Sequence, residues 1–417
     1  MKSLTWWMIL LALSVAGCKS ESDGRHAVFN VRDFGATGSG TSKDTVAFQR
    51  AFDACAANGG GEVLAPAGKY LIGSVHMGSR TFLRLEKGTV IVGSADMEDY
   101  PMTAVRWEGR WEPGHRALIY AESANDIGII GPGRVEGNAR VAAPQNPRGA
   151  VVLEVVGCTG VWWEGFAVTQ GGNWATHPTY CTNVDIHGVT IRGRRDGIDV
   201  DSCNHVRIEN CDILTGDDSI SLKSGRGREA MLIGRPTEDV VISDCTLVDR
   251  RFACVGIGSE TSGGIRNVRI TRCNLTSGSC GIYIKTRLGR AGVIENISGD
   301  DLDVRGGGFL RVNLISAGNS NTVDDPVVGL AGYPLGRNFR FANIHLTNAT
   351  ILADVNKVSQ VRPLEGLSLS NITGTCTKGI SLANVIGVDL RDIHVSGYGG
   401  ALLTQTNVQA AGSQELK

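Results

Sequence analysis

Three aspartates suited to acid–base chemistry lie in the segment RGRRDGIDVDSCNHVRIENCDILTGDDSISLK, residues 192–223. They hold matching places in two successive repeats: Val184 to Asp196 spans 12 residues, Val206 to Asp218 also spans 12, and Asp217 comes just before. Repeats that stack set equal offsets above one another. If each repeat is one coil of a parallel solenoid, stacked strands lie about 4.8 Å apart, which crowds Asp196, Asp217 and Asp218 onto one face. Carboxylates that close repel, so at least one keeps its proton to unusually high pH. An acid and a base of one chemical type, set apart by environment, is what glycosidic bond hydrolysis needs. The plainer alternatives are a polar corner ladder or a calcium site.

The elements that must position these groups are short. Apolar alternation and turns replace one another along the chain, and the phrase recurs as NVDIHGVTI (183–191), HVRIENCDI (205–213), DVVISDCTL (239–247) and NVRITRCNL (267–275). The opening valines 184, 206, 240 and 268 are 22, 34 and 28 residues apart. Fixed strands with variable loops are the mark of a solenoid. Weaker copies fall at 126–135, 160–168, 338–346, 366–372 and 387–395. One helix is expected, TVAFQRAFDACAAN (45–58), with Phe48, Ala51, Phe52 and Cys55 on one stripe, Asp44 as N-cap and Gly59 just past its end. It is suited to closing the open end of the core. The expected fold is all-β, a parallel β-helix with a short N-terminal capping helix, in a single catalytic domain over 28–405 followed by a tail at 406–417.

Composition bounds the partners. A net charge of -1 offers no basic stripe for nucleic acid, and does not argue against an anionic sugar, which needs only local cations. The start, MKSLTWWMILLALSVAGC, joins Lys2 to a short apolar run, as a secretory signal does. Its end, Val15-Ala16-Gly17-Cys18, resembles a bacterial lipobox, which implies cleavage before Cys18, lipid on its thiol, and a polar tether at 19–27. The expectation is an exported monomer anchored to the bacterial envelope. Three cysteines share one offset, Cys211, Cys245 and Cys273 each five residues after a repeat's valine. A buried ladder of small apolar thiols is expected there in preference to disulfides. No CxxC pair suggests a metal, and no cofactor is expected.

The opening FNVRDFGATGSGTSKDTVAFQRAFDACAANGGGEVLAPAGKYLIGS (29–74) resembles pectin-degrading right-handed β-helix enzymes, and the DGID, GDD and IKT elements resemble glycoside hydrolase family 28, the polygalacturonases. The similarity runs from about Val28 to at least residue 300, with a looser solenoid continuation to about 400. It implies that Asp217 is the general acid, and that Asp218 and Asp196 ready a water on the far side of the sugar. It also implies inversion, with carboxylates about 6.5–9.5 Å apart. Four positions depart from the family: Arg194 and Arg195 precede Asp196 where the family motif has Asn and Thr, Ala253 stands where a histidine supports the acid, and Tyr283 where an arginine grips the uronate. Lys285, the partner of that arginine, remains. A lysine lacks the bidentate fork, and Tyr283 can stack on a sugar face.

Further candidates for substrate contact are Trp174 and His177, in a matching WxxHP segment, and Arg287 in TRLGR. Lys223 and Asp201 share the 17-residue offset of Lys285, which fits either a structural ladder or a substrate contact. Trp107, Trp111, Trp162 and Trp163 offer flat surfaces, although neighbours on a strand face opposite ways. The readings left open are a galacturonan hydrolase, a rhamnogalacturonan or branched-pectin hydrolase, a pectate lyase, and a binding solenoid without catalysis.

Overall fold

The computed structural model describes residues 27–169, 173–318 and 325–411. The expected signal, its Cys18 and most of the tether therefore lie outside the described residues. Within them the chain forms a right-handed parallel β-helix. Each coil contributes strands to three rows, as in Thr182–His187, Thr190–Arg192 and Ile198–Asp201, which pair in parallel with Asn204–Glu209, Asp212–Thr215 and Ile220–Lys223 of the next coil.

Inward residues stack in register. Val161, Val184, Val206, Val240 and Val268 form one column, and Ile186, Ile208, Ile242 and Ile270 another. All are buried, and full burial of each such side chain is worth about 1.5–3 kcal/mol. The weaker repeats also find their places, 126–135 against 160–168 and the downstream copies in the last three long strands. Before each valine one residue turns the corner in the left-handed region: Asn183, His205, Asp239 and Asn267 at φ 53–57°. Asn and Asp tolerate that conformation best. Their side chains link coils, with Asn267 Nδ2 donating to Asp239 Oδ1 at 2.9 Å.

The helix Thr45–Ala57 buries Ala47, Phe48, Ala51, Phe52 and Cys55 against the first coils. Asp44 occupies the N-cap position but does not cap. Its carboxylate turns back to accept from Thr37 N at 2.7 Å and Gly38 N at 3.1 Å, fixing the preceding loop. The ten described cysteines are buried and free. The 211, 245 and 273 ladder is present, and Cys158, Cys181 and Cys203 make a second one at a neighbouring corner. At the end of the domain, Leu403–Ala410 pairs with Ile380–Ser396, so ordered strand continues past the expected boundary at 405.

Insertions interrupt the solenoid, among them a hairpin and the short helix Gly227–Ile233. Met102–Trp107 and Arg110–His115 form an antiparallel hairpin, turning at Glu108 and Gly109 with φ 42° and 79°. It is fastened to the coils by a buried ion pair, Arg106 Nε to Asp201 Oδ2 at 3.0 Å. Arg226 adds contacts to Glu108 and Glu112 at 3.4 and 3.7 Å. Of the adjacent tryptophans, Trp163 is in the core and Trp162 is 44% exposed, on the side away from the aspartates.

Candidate active site

Asp196 sits in the turn between Thr190–Arg192 and Ile198–Asp201, and Asp217 and Asp218 take the same turn one coil later. One carboxylate oxygen of each lies within 4.8 Å of the others. This is tighter than the about 6.5–9.5 Å expected. Asp217 and Asp218 are neighbours in the chain and Asp196 lies one coil away, which sets the separation. All three line an open cavity of about 440 Å³ together with Glu108, Trp174, Arg195, Lys223, Glu260, Tyr283 and Lys285.

Local contacts orient the trio. Asp218 N donates to Asp217 Oδ1 at 3.0 Å, and Thr215 Oγ1 donates to the Asp217 carbonyl at 2.7 Å. Asp218 Oδ2 accepts from Lys285 Nζ at 2.6 Å and from Ser221 Oγ at 3.3 Å. Gly256, on the next coil, leaves room for that carboxylate: a Cβ there would lie 2.2 Å from Asp218 Oδ2. We expect Gly256→Ala to displace Asp218 and lower kcat by ~10²-fold, the scale of a misplaced catalytic group. Near-normal kcat in a folded variant would refute this.

Beneath the trio lies a buried charge cluster. Lys223 Nζ is 3.2 Å from Asp199, 3.7 Å from Asp196 and 3.6 Å from Glu260, and donates to Ser221 Oγ at 2.8 Å. It also sits 5.0 Å from the Trp174 ring. Burial, then Asp199 and Asp217, lift the Asp196 carboxyl well above the ordinary range. Burial lifts Asp199 to about 6 although Lys223 opposes it. Burial and the Asp218 charge raise Asp217. Glu260 goes the other way: burial opposes its charge, but Lys223 and Arg290 hold it at about 2. The site thus offers protonated and ionised carboxyls side by side.

The structure sorts the other expected residues. Lys285 and Tyr283 line the cavity, with the ammonium 5.5 Å from the Tyr283 ring and committed to Asp218. Trp174 lines it too but is only 3% exposed, stacked at 4.2 Å on Trp107 of the hairpin. His177 does not reach the cavity. It is fully buried, bonded to Thr179 Oγ1 at 3.2 Å and 3.7 Å from Glu154, because its strand points it at the hidden side of the neighbouring coils. Arg287 is not part of the lining either; it lies past the end of the strand Ile265–Lys285, where its backbone bridges to Ser316. Ala253 is fully buried, while the adjacent Phe252 faces the cavity.

Sequence reasoning missed Glu108, Glu260 and Asp199. The hairpin was signalled by a two-residue turn ending in Gly between aromatic runs, RW-EG-RW. Glu260 and Asp199 answer a simpler demand: a buried lysine requires acids.

A parallel β-helix with a groove of paired carboxyls and lysines has the architecture of a polysaccharide-cleaving enzyme. The chain belongs to the glycosyl hydrolases family 28, whose family model matches residues 55–306. It is a glycoside hydrolase of the polygalacturonase-like kind. It is 28% identical over 383 residues to a probable polygalacturonase of Vitis vinifera, covering 87% of this chain and 76% of that one. Solved structures share the fold, among them two exopolygalacturonases. One is an exopolygalacturonase from Thermotoga maritima, with TM-score 0.69, 24% identity, and 93% and 92% of the two chains covered. The other is a family 28 exopolygalacturonase of Yersinia enterocolitica, with TM-score 0.78, 19% identity, and 93% and 78% covered.

Proposed function

We propose that the protein hydrolyses galacturonate-containing bonds of pectic polymers in one displacement, inverting the anomeric centre. The observation that carries this reading is the gathering of Asp196, Asp217 and Asp218 in one open cavity. Asp217 gives its proton to the departing glycosidic oxygen. A water held by Asp196 and Asp218 attacks the anomeric carbon and loses its proton to that pair. Two hydrogen bonds of about 2.8 Å meeting at one water span roughly 4.5 Å, so oxygens within 4.8 Å suit a shared water. Lys285 supports the role by placing positive charge on Asp218, and Lys223 does the same for Asp196 at 3.7 Å.

Tyr283 favours a second substrate within the same mechanism. A half-buried ring lining the cavity can stack on a neutral sugar, so a backbone alternating galacturonate with rhamnose, or a branched pectin, fits this wall. The test is a panel of galacturonan, rhamnogalacturonan and their oligosaccharides, assayed for new reducing ends and product size. New ends from none of them would refute the proposal.

The acidic trio has the ligand types of a hard-cation site. The two lysines already supply positive charge there, and we expect full activity in excess chelator. Loss of activity that calcium restores would overturn this and revive a lyase.

The pH profile should follow Asp217. Its pKa is raised, so it stays protonated, and competent as an acid, above the ordinary aspartate range. The alkaline limb of kcat/KM is therefore expected clearly above pH ~4; a limb at that value would count against Asp217.

We also propose export and lipid attachment at Cys18, supported by the MKSLTWWMILLALSVAGC pattern. Fatty-acid labelling should be lost in Cys18→Ala. Labelling that persists in that variant, or is missing from the native protein in a bacterial host, would refute it.

A further inference from the structure

We infer that Arg195 binds the carboxylate of a uronate beside the scissile bond. This inference rests on the galacturonate reading above.

Among the described residues, three cations line the cavity: Arg195, Lys223 and Lys285. They differ in what they have left to offer. Lys285 is held by Asp218 at 2.6 Å. Lys223 is enclosed by Asp199, Asp196, Glu260 and Ser221, with its side chain 6% exposed. Arg195 is 39% exposed, and its contact with Asp217 Oδ2 is 3.9 Å, beyond hydrogen-bond reach. Its planar fork suits a carboxylate bidentately, which neither lysine can match. The position is also fixed by the chain, since Arg195 directly precedes Asp196 in the turn that builds the trio.

The placement couples recognition to chemistry. Asp217 faces Asp218, Lys285, Arg195 and Asp196; Asp218 raises its proton affinity, while Lys285 and Arg195 lower it. A bound uronate carboxylate neutralises the Arg195 charge, so the acid holds its proton better when the correct substrate is present. A neutral sugar at the same place gives no such effect.

The test compares Arg195→Gln and Arg195→Lys with the native enzyme on oligogalacturonate and on its methyl ester. For Arg195→Gln the KM for the acid should rise ~10-fold or more, the scale of a charge-assisted hydrogen bond, with kcat changing less and the ester little affected. The lysine variant should recover part of the loss. With the cation gone, the alkaline limb of kcat/KM should also move up. In an Asp217→Asn background, calorimetry should show the same weakening of trigalacturonate binding. Equal effects on acid and ester, or none, with the native enzyme active, would overturn the role of Arg195 alone. A native enzyme that neither binds nor cleaves galacturonate oligomers would overturn the substrate reading and this inference together.

Discussion

Asp217→Asn should lose ~10²-fold or more in kcat on oligogalacturonate, the scale of general-acid catalysis. The amide is nearly isosteric, and its oxygen can still accept from Asp218 N, which now holds Asp217 Oδ1 at 3.0 Å. The turn and the cavity should therefore persist, and KM should change little. What is lost is the proton for the leaving oxygen. An aryl glycoside whose leaving group departs without protonation should consequently be spared most of the loss. Near-normal turnover of the natural substrate, in a folded variant, would remove Asp217 from its role.

Lys223→Met should have the largest effect on stability. The ammonium is the shared partner of Asp196, Asp199 and Glu260, all buried. Removing one member of a buried ion pair costs about 3–5 kcal/mol, because the remaining charge is left uncompensated. The sign with pH follows from the acids. Without Lys223 the folded-state pKa of Glu260 rises from about 2, and those of Asp196 and Asp199, already raised, rise further, so folding is penalised as pH increases through the folded values. The deficit should be greatest near neutrality and shrink below pH ~4, where the unfolded chain's carboxyls are protonated too. Paired thermal midpoints at the two pH values would show it. A variant as stable as the native protein at neutral pH would mean that Lys223 is not the cluster's counter-ion.

Much of the site was legible because a solenoid turns sequence offset into position. The equal spacing of Asp196 and Asp218 from their valines became neighbouring turns on adjacent coils, and the spacing of Cys211, Cys245 and Cys273 became a ladder. The same rule set Asp201 beside Lys223. It could not tell which outward face is open. His177 and Asp199 share such a face, yet both are fully buried beneath neighbouring coils and side chains. The hairpin at 102–115 obeys no repeat, so nothing in the offsets led to Glu108 or to the Trp107 ring that covers Trp174. Carboxylate separation was also out of reach, since a rule for pairs that flank a sugar does not describe two chain neighbours with a third group one coil away.

In the proposed mechanism a water, held by Asp196 and Asp218, is the nucleophile while Asp217 gives the proton. Proton NMR of the first sugar released from oligogalacturonate, recorded before mutarotation, tests it directly. The predicted result is an anomeric configuration opposite to that of the bond cleaved. Retained configuration would mean that one of these carboxylates attacks the sugar itself, and would contradict the account.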